Sequence, residues 1–200
     1  MKNLVKLALI SSITTIIFVG CGEESHQVIS VSESTNMELA LKITNNKILE
    51  VINRAREKVR DCNDGKGLVG PSVALKWNSE LYASAYEHSS DLAQSDTFSH
   101  MGSGTSWDVT GSNSGRASKF NERIRENGYT DYTIIGENIA GGQESIELAL
   151  DAWLKSPAHC TNIMEPEFTE MGVAVVVNLD STYGIYWTQN FGNRKKKGVE

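Results

Sequence analysis

Residues 136–164 read GENIAGGQESIELALDAWLKSPAHCTNIM, and local structure must change several times within that span. The β-prone step Thr133-Ile134-Ile135 runs into Gly136, which predicts a strand leading directly into Glu137 and ending there. Ile146, Ala149, Leu150, Trp153 and Leu154 then recur at three- and four-residue spacing, the period of a helix with one buried stripe. Pro157 cannot continue that helix. Ser156-Pro157 does favour the start of another, because serine caps and proline sits where no backbone N–H bond is needed. His159 then falls in the first turn of the new helix, with Cys160 beside it. A plain core segment has no need of a carboxylate, an imidazole and a thiol at such junctions.

Working upstream, Ile48, Ile52, Ala55 and Val59 repeat at intervals of four, three and four, again one buried helical stripe. The Gly-, Asp- and Asn-rich run from Asp61 to Pro71 ends that helix and holds Cys62 in a loop. After the apolar step Val73-Ala74-Leu75, Asn78 reads as the N-cap of a helix through about Gln94, with Leu81, Ala85 and Leu92 facing inward. His88 lies on the same stripe and reads as a core histidine hydrogen-bonded to a neighbour. Phe98-Ser99-His100 leads into a Gly- and Ser-rich passage, residues 102–118, which is either a lid or a surface excursion. A third helix is predicted from Ser118 to Asn127, stopped by Gly128. Downstream, Gly172–Leu179 and Tyr183–Asn190 are β-rich runs joined by the turn residues Asp180-Ser181-Thr182, a hairpin. Tyr186, Trp187 and Gln189 read as sheet packing plus one outward polar group.

The first twenty residues carry Lys2 and Lys6, then an apolar run from Leu7 to Gly20, and end at Cys21, the pattern of a lipoprotein export signal. That run is shorter than the ~20 residues a membrane span needs. In this reading Cys21 is the lipidated amino terminus and residues 21–35 are a polar tether to the membrane. Gly22 after the cysteine resembles the pattern of lipoproteins passed outward, toward an outer membrane or cell surface. Residues 36–194 make one domain, and 195–200 a basic tail that reads as a solvated terminus. Losing the leader removes two of the nineteen basic residues and none of the twenty-five acidic ones, so the net charge moves from -6 to -8. Nucleic acid is excluded as a partner on that charge.

With Cys21 assigned to lipid, Cys62 and Cys160 remain, an even pair in a chain bound for an oxidising compartment. A disulfide and two buried free thiols are both open readings. There is no GxSxG elbow, no phosphate-binding glycine loop and no CxxC pair. Cys160 beside His159 does not make a thiol nucleophile, because adjacent residues on a helix do not face one another.

His100, Glu137 and His159 each follow or begin an element. Two imidazoles and a carboxylate are enough for a divalent metal such as zinc, or for hydrogen-bonding a polar head group. No HExxH-like pairing fixes them on one helix face.

Together FSH at 98–100, GENIA at 136–140, AWLKSPAHCTNIM at 152–164, FTEMGVA at 168–174 and YWTQNFG at 186–192 resemble the CAP superfamily. This is the SCP-like group of cysteine-rich secretory, venom-allergen and plant pathogenesis-related proteins, and the likeness is to its short bacterial branch over about residues 45–192. The resemblance implies an α+β fold, a three-layer α-β-α sandwich with a small antiparallel sheet and a cleft at one edge. It implies that the cleft holds His100, Glu137 and His159, sometimes with a divalent metal. A second glutamate normally stands three residues after the tryptophan; here Trp153 leads to Ser156. Bacterial relatives pair cysteines placed like Cys62 and Cys160. Three functions follow from membership: a cleft binding a lipid, small-molecule or envelope-polymer ligand or a metal, a metal-dependent hydrolase with Glu137 as base, and a structural or adhesion module of the envelope.

Overall fold

Asparagine and threonine caps start the long helices, and a β-rich second half supplies the sheet between them. The computed structural model describes residues 44–194. The expected leader, the Cys21 lipid site, the tether and the 195–200 tail lie outside the described residues, as does the 36–43 segment of the expected domain.

In chain order the elements are α1 (Asn45–Arg56), β1 (Arg60–Asp61), β2 (Leu68–Val69), β3 (Lys76–Trp77), α2 (Ser79–Ser95), α3 (Val109–Asn113), α4 (Phe120–Glu126), β4 (Tyr132–Gly141), α5 (Ile146–Lys155), α6 (Pro157–Met164), β5 (Glu170–Val177) and β6 (Ile185–Arg194). The main sheet has the order β3-β5-β6-β4. β5 pairs antiparallel with β6 and β6 with β4, while the two-residue β3 adds a parallel edge to β5. β1 and β2 form a separate antiparallel pair.

Alternation along β5 explains the three layers, since successive side chains leave opposite faces of a strand. Met171, Val173 and Val175 pack with Ile48, Ile52, Trp153 and Ile163 of α1, α5 and α6. Ala174 and Val176 point the other way, to Ala85 and Leu92 of α2. A strand covered on both faces reads as a continuous apolar run, and EMGVAVVV does. Gly172 lets α2 settle on the sheet: a Cβ there would lie 2.1 Å from the Tyr82 backbone nitrogen.

Several expectations hold in detail. Asn78 caps α2, its side chain accepting from the backbone N–H groups of Glu80 and Leu81, and Leu81, Ala85 and Leu92 are fully buried. The 172–190 hairpin forms with Val177 opposite Ile185. Cys62 and Cys160 form a disulfide, Cα atoms 5.5 Å apart, tying the first loop to α6 across 98 positions.

Others are corrected. α1 stops at Arg56 and Val59 is 54% exposed, because Arg56 turns inward. Its guanidinium donates to the carbonyls of Val73 at 2.9 Å, Glu165 at 3.1 Å and Phe168 at 3.3 Å, and to that of Ile163, gathering the loop after α6 onto α1. The third helix is shorter than expected, Phe120–Glu126, with Lys119 and not Ser118 at its N-cap. Ser156 stands at the α6 N-cap and Pro157 in the first turn, yet the serine side chain makes no capping bond. β4 continues past Glu137 to Gly141, so Glu137 sits mid-strand, paired with Asn190 of β6. Gln189 points inward, fully buried, where it accepts from Asn138 Nδ2 at 3.2 Å.

Candidate functional site

The site lies where β4, the loop after α2, α4 and the start of α6 converge. Glu137 leaves β4 on the α2 side, and its side chain is 2% exposed. Arg123 of α4 reaches it from below: Nη2 donates to Oε1 at 3.2 Å and to Oε2 at 3.0 Å. His100 Nδ1 meets Oε1 at 3.0 Å. His88, buried in α2, stands with Nε2 3.9 Å from the same oxygen and 2.9 Å from the Ser99 carbonyl.

Burial by itself pushes a carboxyl pKa up. The charge His88 carries when protonated, the His100 hydrogen bond and the Arg123 guanidinium oppose it and hold Glu137 below its ordinary range; with His88 neutral the last two act, and Glu137 is an anion at neutral pH. Burial takes His88 down to about 4, against the pull of Glu137. His88 is therefore neutral at neutral pH, which requires its Nε2 to carry the proton given to Ser99, and the permanent cation beside Glu137 is Arg123.

The loop that the sequence leaves undecided is neither free nor featureless. Arg123 also donates to the His100 carbonyl at 3.0 Å and to Ser118 Oγ at 2.9 Å, so the two ends of the 100–118 segment close around it. Inside, Asp108 is 1% exposed and accepts from the backbone N–H groups of Gly104, Gly111 and Ser118 at 2.9–3.0 Å. Gly102 and Gly111 make room for it, since a Cβ at either would fall 2.1–2.2 Å from Asp108 Oδ2. Ser103 N–H donates to Asp91 of α2 at 2.8 Å, anchoring the segment.

His159 arrives on α6. A network of amides sets its place: Asn138 Nδ2 donates to the His159 carbonyl at 3.2 Å, and Asn162 Nδ2 donates to Asn138 Oδ1 at 2.9 Å and to the Glu137 carbonyl at 3.2 Å. The His159 ring centroid is 6.3 Å from that of His100, planes inclined by 56°. Burial, then repulsion from His100, lowers the His159 pKa. Neither ring nitrogen of His159, nor Nε2 of His100, is hydrogen-bonded to another described residue. Two imidazoles thus stand side by side, His100 half-exposed over a buried carboxylate.

The expected trio comes together, with unequal roles. Both Glu137 oxygens are engaged, so it orients His100 and is not free to ligate or to act as base. Among the described residues no group of three His, Cys, Asp or Glu side chains stands in metal-holding geometry. The donors on offer are two imidazoles, fewer than the three protein ligands of a catalytic zinc site, and Ser156 adds no carboxylate. A three-ligand site of His100, Glu137 and His159 does not fit this arrangement.

Sequence reasoning missed Arg123, because an arginine in an amphipathic helix reads as solvated. The signal for His88 was present as a polar residue on an apolar stripe, and its hydrogen-bonded core role is met by Ser99. Its closeness to Glu137 was not readable.

The model of the CAP family, described as the cysteine-rich secretory protein family, matches residues 49–191. The chain belongs to the CAP family. Two Bacillus subtilis relatives are similar in part: the uncharacterized protein YkwD, 43% identical over 60 residues, covering 30% of this chain and 21% of that one, and the uncharacterized membrane protein YlbC, 28% identical over 120 residues, covering 60% and 29%. The chain therefore spans less than a third of the length of either curated relative. The fold is that of solved CAP proteins. An extracellular SCP-domain protein from Bacillus anthracis superposes with a TM-score of 0.55 at 23% identity, over 83% of this chain and 45% of that one. An outer surface protein from Borrelia burgdorferi gives 0.54 at 17% identity, over 84% and 99%. Among the described residues no helix is long and apolar enough to cross a membrane.

Proposed function

We propose that this CAP domain is an exported, lipid-anchored envelope protein whose cleft binds a ligand through the paired imidazoles of His100 and His159. The observation that carries the reading is the pair itself: two rings 6.3 Å apart, with ring nitrogens unused by the described residues, at the mouth of a site whose buried charge is already neutralised. Such a pair suits a polar head group that accepts or donates hydrogen bonds, or a divalent cation shared between the rings. The placement of relatives on cell surfaces and outside cells supports export, and the lipoprotein-like end at Cys21 supports the anchor.

A structural reading has one observation in its favour. Glu137, saturated by Arg123 and His100, is what a hydrogen-bonded fold element would contain. Imidazole NMR separates the two. The purified chain from Gly22 onward is titrated with inorganic phosphate and, separately, with Zn²⁺. The expected result is saturable movement of both the His100 and His159 Hε1 resonances with at least one probe, lost in His100→Ala and His159→Ala. If neither probe moves the rings and both variants keep wild-type stability, the cleft reading is abandoned. For the anchor, Cys21→Ser is expected to leave the membrane fraction; quantitative retention there refutes lipidation.

A further inference from the structure

One concavity of the domain stands apart from the histidine site. It is a groove of about 620 Å³ on the solvent side of α2, roofed by the 102–118 segment, and neither His100, Glu137 nor His159 lines it. One wall is the half-exposed stripe of α2 that carries Tyr82 and Tyr86, rings 6.3 Å apart. The other is Trp107 and Val109, which are 51% and 53% exposed although the segment bearing them is fixed by Asp108 and Asp91. An indole held half in water by a rigid loop is costly surface unless something covers it.

We infer that this groove is a second binding site, for an uncharged aromatic small molecule. Its volume falls within the roughly 300–1,000 Å³ of small-ligand sites and its lining is mostly apolar, as theirs is. Three aromatic side chains around one opening favour a flat ring that stacks or meets them edge-on. Charge complementarity disfavours an anionic occupant. No lysine or arginine lines the groove. The lining carboxylate, Glu87, is already committed, accepting from Thr110 N–H at 2.8 Å and Asn127 Nδ2 at 2.6 Å. An anion finds no cationic partner, a cation meets a carboxylate whose two oxygens each already accept a hydrogen bond, and the chain's net charge of -6 disfavours anions further. One polar group is called for: Ser90 lines the groove and its buried hydroxyl has no hydrogen-bond partner.

The test uses the chain from Gly22 onward, which contains every described residue, and the neutral dye N-phenyl-1-naphthylamine. Saturable one-to-one fluorescence enhancement is expected, with excitation transfer from tryptophan. Trp107→Ser and Tyr86→Ser are expected to weaken binding about tenfold or more, the effect of an aromatic anchor, while Ser90→Ala weakens hydroxyl-bearing naphthols by a few-fold. The sulfonated analogue of the dye binds at least about tenfold more weakly. His100→Ala leaves dye binding unchanged, so this site stands or falls apart from the imidazole cleft. The proposal is overturned by non-saturable binding, by a Trp107→Ser variant with wild-type affinity, or by equal affinity for the sulfonate. It is equally overturned if decanol, a saturated chain, or a peptide of residues 22–43 displaces the dye more tightly than 1-naphthol does.

Discussion

Two arginines are buried in this domain, one on each side of the sheet, and they do different things with the same guanidinium. Arg56, beneath α1, meets only backbone carbonyls. Arg123, beneath the loop of His100, meets two carbonyls, a hydroxyl and the Glu137 carboxylate. Arg56 bonds through Nε and both terminal nitrogens, Arg123 through its two terminal nitrogens alone. Only the second holds an opposite charge out of water, and only it lies under the candidate site. Neutral acceptors make Arg56 a fastener of loops: burial lowers its pKa to about 10, against Glu165, and it stays charged at physiological pH. A carboxylate partner makes Arg123 a setter of charge, keeping Glu137 ionised and His100 oriented. The same buried residue type therefore marks a joint in one layer and a site in the other.

Arg123→Met is the hardest blow to that contrast. It strands the Glu137 carboxylate without a counter-charge, an expected loss of about 3–5 kcal/mol at pH 7 by urea unfolding. The loss shrinks in acid, where protonated Glu137 needs no cation. Equal losses at pH 7 and pH 4 break the assignment.

His88 sharpens it next. Its folded pKa, about 4, is below the ordinary 6.5, so the unfolded chain binds the extra proton. Its contribution is complete above pH 6.5 and disappears as pH falls toward 4, about 3 kcal/mol across the window at ~1.4 kcal/mol per unit. Glu137, with its pKa lowered, loses its own contribution further into acid. In His88→Gln the stability curve between pH 6.5 and 4 should flatten; parallel curves for variant and wild type would show that His88 does not couple.

Arg56→Met gives the smallest change. It orphans carbonyls and no charge, for an expected loss of about 1–3 kcal/mol, unaltered between pH 5 and 8. A loss as large as that of Arg123→Met, or one that tracks pH, erases the distinction between fastener and charge-setter.

Much of the frame was legible. The three-and-four spacing of Leu81, Ala85, His88 and Leu92, the Asn78 cap and the 172–190 hairpin are local patterns, and local patterns survive into the fold. The failures share a cause. Val59 extends the α1 stripe on paper, but Arg56 turns inward to carbonyls more than a hundred residues away. Gln189 reads as outward because a polar residue on a strand usually faces water. Here Asn138, across the ladder, gives it a buried partner. The 102–118 segment reads as an excursion because nothing in its composition announces that Asp108 will collect three of its own N–H groups.

By itself the sequence determined the family and the α+β order of elements, since periodicity, caps and motif order are properties of neighbours along the chain. Only the tertiary structure decided that Glu137 meets Arg123 and His100, and that the His100 and His159 rings come within 6.3 Å of each other. It also decided that a groove of about 620 Å³ lies elsewhere, against α2. Charge neutralisation and concavity depend on which distant residues meet, and spacing along a chain does not encode their distances.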